Sequence, residues 1–443
     1  MQFNSIAFLF AFLPLFLTVY FAVREELRSC VVILGSLLFC GLASNGNYWW
    51  IGLLLVITVL SYFAQRSLGK KHRPWELGFW LVLLAGLLVF FKVFQRGVYL
   101  PAGMSFYIFQ IVAYMIDVFR KKIPQEQKFL SYVEQIVMFP KLFSGPLVTP
   151  ESLQKQAMDC QRRFENVHNG LRTLILGLAI KVILANRLGG LWSQPKVIGY
   201  PYISVPAAWL AIIAYAMQLY LDFYGYSLMA IGLGKILGYD LPANFREPYA
   251  SKSVSEFYRR WHITLGAWFR EYVYIPLGGN RKGTVRTLLN IAVVWLLTGL
   301  WHGVGGNYLL WAGILCFFII NERLWLGELL DKSRVLCHFY VVFVILISWI
   351  PFAVGDWNQM LVFTGKLFGL GGAAINPTDY VEWIRMYAGL LGVSGLMMTP
   401  LPRKLWNRLK DTIVADVLVV VLFWIVVYYI STAAQDPFMY FQY

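Results

Sequence analysis

The sequence predicts an all-α, multi-pass membrane protein with about 10–12 transmembrane helices and a few short helices that enter the bilayer without crossing it. Three observations predict it. Of 443 residues, 59% are hydrophobic and 17% aromatic, and only 14% are charged, more apolar surface than a water-soluble domain could cover. The apolar residues gather in runs of spanning or near-spanning length. The basic residues gather in short loops between those runs, as cytoplasmic loops of membrane proteins do. The net charge of +15, from 38 basic and 23 acidic residues, is therefore a topology signal and not a nucleic-acid surface.

In chain order, the first apolar runs lie at about 5–22, 29–44, 48–65, 76–95 and 103–119. The first lacks a basic leader and a small-residue cleavage site, so it is expected to stay as a span. The loop at 45–47 is uncharged, whereas 66–73 carries Arg66, Lys70, Lys71 and Arg73, and the loop from Arg120 adds Lys121, Lys122 and Lys128. This alternation places the basic loops in the cytoplasm and both termini outside. Later runs lie at about 170–193, 203–237, 287–301, 306–320, 338–354, 382–399 and 413–431. Arg403, Lys404, Arg408 and Lys410 make the last loop cytoplasmic. No linker or repeat divides residues 1–443, so one domain is expected. The five cysteines, Cys30, Cys40, Cys160, Cys316 and Cys337, show no metal-ligand spacing.

Two segments break the pattern. Residues 132–150 are interrupted by Pro140, Gly145, Pro146 and Pro150, which favours a re-entrant or buried segment, because irregular backbone at depth must be shielded by protein. Residues 253–281 open with Ser253-x-x-Glu256, a capping-box pattern that starts a helix, and Glu256 and Arg260 are spaced to pair along it. The same stretch sets Arg259, Arg260, Trp261, His262, Trp268, Arg270 and Glu271 among large apolar residues, then turns at Gly278-Gly279-Asn280-Arg281. A third break is chemical: Asp222 sits inside an apolar run and must point inward to a partner.

Hydrolase, nucleotide-driven and dinucleotide motifs are absent from the sequence. What remains is a pair of histidines, each preceded by tryptophan: Trp261-His262 and Trp301-His302. His302 ends an otherwise apolar run. An imidazole there is poised neutral and able to take a proton from a hydroxyl or thiol that attacks an acyl group; equally, it could hydrogen-bond a neighbouring helix. His262 could orient an acyl donor or serve structure. Arg259, Arg260 and Arg270 could hold phosphate or carboxylate groups, or pair with Glu256, Glu271 and Asp222. His72, and His168 beside Arg162 and Arg163, are expected in solvated loops, and His338 at a membrane interface.

The chain resembles the membrane-bound O-acyltransferase family, in its bacterial alginate O-acetyltransferase-like branch. The resemblance rests on GMSFYIFQIVAYMIDVFR (103–120), MFPKLFSGP (138–146), QLYLDFYGYSLMAIG (218–232), LPANFREPY (241–249), SVSEFYRRWHITLGAWFREYVYIPLGGNR (253–281), LTGLWHG (297–303) and the aromatic tail PFMYFQY (437–443). It implies a funnel-shaped multi-helix fold with His302 as principal catalytic residue and His262 as the second active-site histidine. It also implies supporting or donor-binding roles for Arg259, Arg260, Trp261, Asp222, Trp301 and Asn280. The donor would be acetyl-CoA or another acyl thioester, with no tightly bound cofactor and no metal. The acceptor would be an exported polysaccharide, reached through an extracytoplasmic SGNH-type partner in the bacterial cytoplasmic membrane. Tyr224, Leu228, Tyr258 and Val304-Gly305-Gly306-Asn307 depart from the branch pattern, which leaves the substrate open. Two other readings stand beside this one: D-alanyl transfer to teichoic acid from a carrier protein, and a polysaccharide or lipid-precursor transporter. The matched repeats typical of transporters are not evident.

Overall fold

The computed structural model describes residues 1–44, 46–93, 101, 103–158 and 164–432. The sequence readings of Cys160, Arg162, Arg163 and the 437–443 tail fall outside them. Among the described residues every regular element is helical. Nine helices among the described residues are long and apolar enough to cross a membrane, and Phe8–Ala22 and Met104–Phe119 are shorter apolar helices at two further expected spans. Their outward faces carry side chains such as Val82 and Phe339, more than 70% exposed. Lipid accommodates such faces without the cost water would impose. Residues 401–409, expected as a basic loop, form the helix Leu401–Leu409.

Contacts divide the chain into two compact units, with boundaries at 178/179, 225/226 and 422/423 inside long helices and one at 243/244 in an irregular connection. One unit comprises 1–178, 226–243 and the described part of 423–441. Its core is built around Phe139, whose ring meets Phe12, Phe16 and Phe39 at centroid distances of 5.7, 5.4 and 5.3 Å. Ser36 accepts the Phe139 backbone N–H at 3.0 Å. The Pro-rich stretch is broken as expected: Phe129–Val137 stops at Met138, a four-residue helix Phe139–Leu142 follows, and 132–146 are buried throughout. Tyr239 donates its hydroxyl to Glu134 at 3.0 Å, giving that buried carboxylate a partner.

The other unit comprises 179–225 and 244–422. Here Thr284–His302 packs antiparallel to Gly306–Asn321, and that helix packs on Arg334–Ala353. Ser204 donates its backbone N–H and hydroxyl to Asp379 at 3.0 and 2.5 Å. The buried Lys366 ammonium donates to the carbonyls of Pro201 and Gly372 at 3.0 and 2.8 Å. The 200–204 turn is thereby tied to the 366–379 connection.

Asp222 has the basic partner it requires. The Lys181 ammonium lies 2.7 Å from its carboxylate, with both side chains at most 2% exposed, and also donates to Asn186 Oδ1 at 2.6 Å. Lys181 sits in the π-helical turn Ile180–Ala185, inside the continuous helical run 165–198. Such turns add a residue to the helical register and recur where a side chain must be re-aimed. Removing one member of a buried pair strands the other charge, whereas removing both does not. Lys181→Met is expected to cost about 3–5 kcal/mol of stability, and the double variant Lys181→Met/Asp222→Leu to regain most of it. Unfolding of detergent-solubilised protein measures both; simple additivity would show that the two charges do not act as a pair.

Candidate active site

Ser253 caps the helix as expected, but the reciprocal half of the capping box is shifted by one residue, because Glu256 reaches the N–H of Lys252 and not that of Ser253. The Ser253 hydroxyl accepts the Glu256 backbone N–H at 3.0 Å, and Glu256 accepts the N–H of Lys252 at 2.8 Å and an Arg260 guanidinium N–H at 2.5 Å. The helix Val254–Arg260 gains a second anion at its N-terminus. Glu322 accepts the backbone N–H groups of Val254 and Ser255 at 2.5 and 3.0 Å and the Ser255 hydroxyl at 2.7 Å. A carboxylate there satisfies donors the helix leaves open and complements its dipole.

The chain breaks between Val254–Arg260 and Ile263–Phe269, and His262 occupies the break. Its φ of 45° is left-handed, a conformation costly for a residue with a Cβ. Asn244 holds it there. Its backbone carbonyl accepts Ile263 N–H at 2.9 Å, and its side-chain oxygen accepts from Thr264 N–H and Thr264 Oγ1 at 3.3 and 2.9 Å. The same oxygen lies 3.1 Å from His262 Nδ1. An oxygen engaged by a backbone N–H is an acceptor, so Nδ1 carries the imidazole proton and Nε2 keeps the lone pair. Burial pushes His262 down to about 3, so its ring is neutral at physiological pH.

His302 ends Thr284–His302 and is 6% exposed. Its ring stands edge-on to Trp311 and Phe352 at 4.8 and 5.1 Å. Gly303 makes the turn after it possible, because a Cβ there would collide with the Tyr308 ring. Trp301 links the two histidines: its indole is 6.2 Å from the His262 ring and 4.6 Å from that of His302. Trp261 joins the same cluster through Trp349, at 5.2 Å, and Trp349 stacks on Trp311 at 6.2 Å. Two neutral-capable bases within one aromatic enclosure can move protons during acyl transfer.

The structure thus brings His262, His302, Trp261 and Trp301 into one cluster. Arg260 pairs with Glu256 beside it. Arg259, Arg270 and Asn280 are exposed, and Asn280 lies in a turn held by Asn290, whose amide donates to the Gly279 carbonyl at 2.9 Å. Sequence reasoning missed Asn244, Glu322 and Lys181. Asn244 lay in what read as a polar turn, and its only local signal was an amide flanked by apolar residues. Of the other histidines, His72 is exposed and stacks on Phe119 at 4.2 Å, while half-buried His338 lies 2.7 Å from the Arg334 carbonyl.

A family model described as MBOAT, the membrane-bound O-acyltransferase family, matches residues 44–329. The chain is 34% identical to the probable alginate O-acetylase AlgI of Pseudomonas aeruginosa, over 90% of this chain and 81% of that one. It is 28% identical to the probable alginate O-acetylase AlgI of Pseudomonas putida across the whole of both chains. It is also 28% identical to the peptidoglycan O-acetyltransferase of Helicobacter pylori, over 84% of this chain and 81% of that one.

The His262 geometry has a consequence for pH. Folded His262 binds no proton until about pH 3, whereas the unfolded chain takes one up near the ordinary value of 6.5. Between those values unfolding absorbs a proton, so stability falls as pH drops below 6.5 and is unaffected above it. His262→Gln is expected to remove this part of the acid limb. Melting temperature against pH for both proteins measures it, and parallel curves would refute the buried neutral ring.

Proposed function

The chain belongs to the membrane-bound O-acyltransferase family and is a multi-pass membrane O-acyltransferase, and from that premise we propose acetyl transfer from a cytoplasmic thioester to an exported polysaccharide. The observation that carries the reading is the shared aromatic enclosure of His262 and His302, together with the alginate and peptidoglycan acetylases among the relatives. In this reading His302 takes the proton from an attacking hydroxyl. The hydroxyl oxygen bonds to the thioester carbonyl carbon, the carbon–sulfur bond breaks, and the departing thiolate takes the proton back from the His302 imidazolium. His262, fixed by Asn244, presents Nε2 toward the reacting groups and orients them. Trp261 and Trp301 exclude water, which would otherwise hydrolyse the thioester.

The donor is proposed as acetyl-CoA or an acyl carrier's thioester, and the hydroxyl as that of a polysaccharide or of an SGNH-type partner that completes delivery outside the cell. Arg259 and Arg260 flank the histidine helix and would draw the donor's phosphates toward it, while Asn280 would serve in its exposed turn. The bacterial cytoplasmic membrane is the proposed location, and the charge bias of the loops supports both termini lying outside.

His302→Ala, at equal protein level in the membrane, is expected to lower O-acetyl content of the host's extracellular polysaccharide by about 10²-fold or more, with polymer export unchanged. Ester analysis by NMR and mass spectrometry reads the result. Unchanged esters would reject His302 as the base, loss of D-alanyl groups would redirect the reading to D-alanyl transfer, and lost export would redirect it to transport.

A further inference from the structure

The 138–147 turn encloses a cationic group that the acyl-transfer reading does not use. Lys141 is 5% exposed, and among the described residues nothing accepts a hydrogen bond from its ammonium or forms an ion pair with it. It lines a small cavity of about 10 Å³ together with Tyr107 and Gln110, bordered by Phe106, Ile136, Leu142 and Pro146. The Tyr107 hydroxyl and the Gln110 amide nitrogen are also buried, at 2% and 3% residue exposure, with no hydrogen-bond partner among the described residues. Ammonium, phenol and amide can each donate a hydrogen bond, and among the described residues no carboxylate lines the cavity. Glu134, on the helix that contributes Ile136, is engaged by Tyr239.

The surrounding backbone is tightly constrained. Gly103 has φ of 76°, and a Cβ there would run into the Leu142 carbonyl; a Cβ on Gly145 would meet the Pro140 oxygen at 2.6 Å. An apolar residue would serve a purely structural turn better than a buried lysine without a counter-charge. A cavity of this size holds one water-sized particle. Water could accept from the phenol and the amide but would leave the ammonium charge uncompensated. Burial pushes Lys141 down to about 7, so an arriving counter-ion would hold it in the charged form.

We propose that this cavity binds one small monovalent anion, of chloride size, held by Lys141, Tyr107 and Gln110. The site goes beyond the acyl-transfer reading and does not depend on it.

The test is thermal unfolding of the purified full-length protein in detergent, with sodium chloride or bromide titrated against sodium gluconate at constant ionic strength. Chloride and bromide are expected to raise the melting temperature saturably, and Lys141→Met to abolish the rise. Tyr107→Phe, which keeps the ring, is expected to raise the half-saturating concentration about tenfold, and it decides the question should Lys141→Met fail to accumulate. Equal melting temperatures in chloride and gluconate would show that the cavity holds water only and overturn the proposal. A full chloride response in Lys141→Met, or an unchanged half-saturation in Tyr107→Phe, would also overturn it.

Discussion

Everything at the histidine site depends on the side-chain amide of Asn244. A chain interrupted in apolar surroundings exposes donors and acceptors that no water can satisfy. Here one carbonyl oxygen answers both Thr264 donors and the His262 ring nitrogen, while the Asn244 backbone closes on Ile263. The break in the helix and the tautomer of the imidazole are consequently set by one residue. The ring cannot turn without giving up the bond that fixes its proton.

A second constraint is ionic. Glu322 at the N-terminus of Val254–Arg260, and Lys181 beside Asp222, are charges brought from other helices to settle sites that local sequence leaves unfinished. Both lie in π-helical turns, Ile180–Ala185 and Glu322–Leu326. Widened turns therefore coincide with the long-range charges that organise this unit, at positions where an unbroken α-helical register would direct the side chain differently.

What the sequence disclosed follows from how local each signal is. The membrane class, most helices, the break at 132–150, the Ser253 cap and the Glu256–Arg260 pair all arise from neighbours in sequence, and each is present in the structure. Asp222 announced that it needed a partner, because a carboxylate in an apolar run has no other stable outcome. It could not name Lys181, which sits in another apolar run. The kinship of His262 and His302 was suggested by their matching Trp-His pairs, but their meeting at Trp301 is a property of the packed helices. Arg259 and Asn280 carried strong local patterns and yet lie at the surface.

The left-handed backbone of His262 sets stability against the proposed role of its imidazole at a single position. Glycine and asparagine adopt that conformation at lower cost than histidine, so either replacement would relax the chain while discarding the imidazole. A library screened for thermal robustness alone would therefore drift away from histidine here, whereas the proposed role of the imidazole in acyl transfer would select for it.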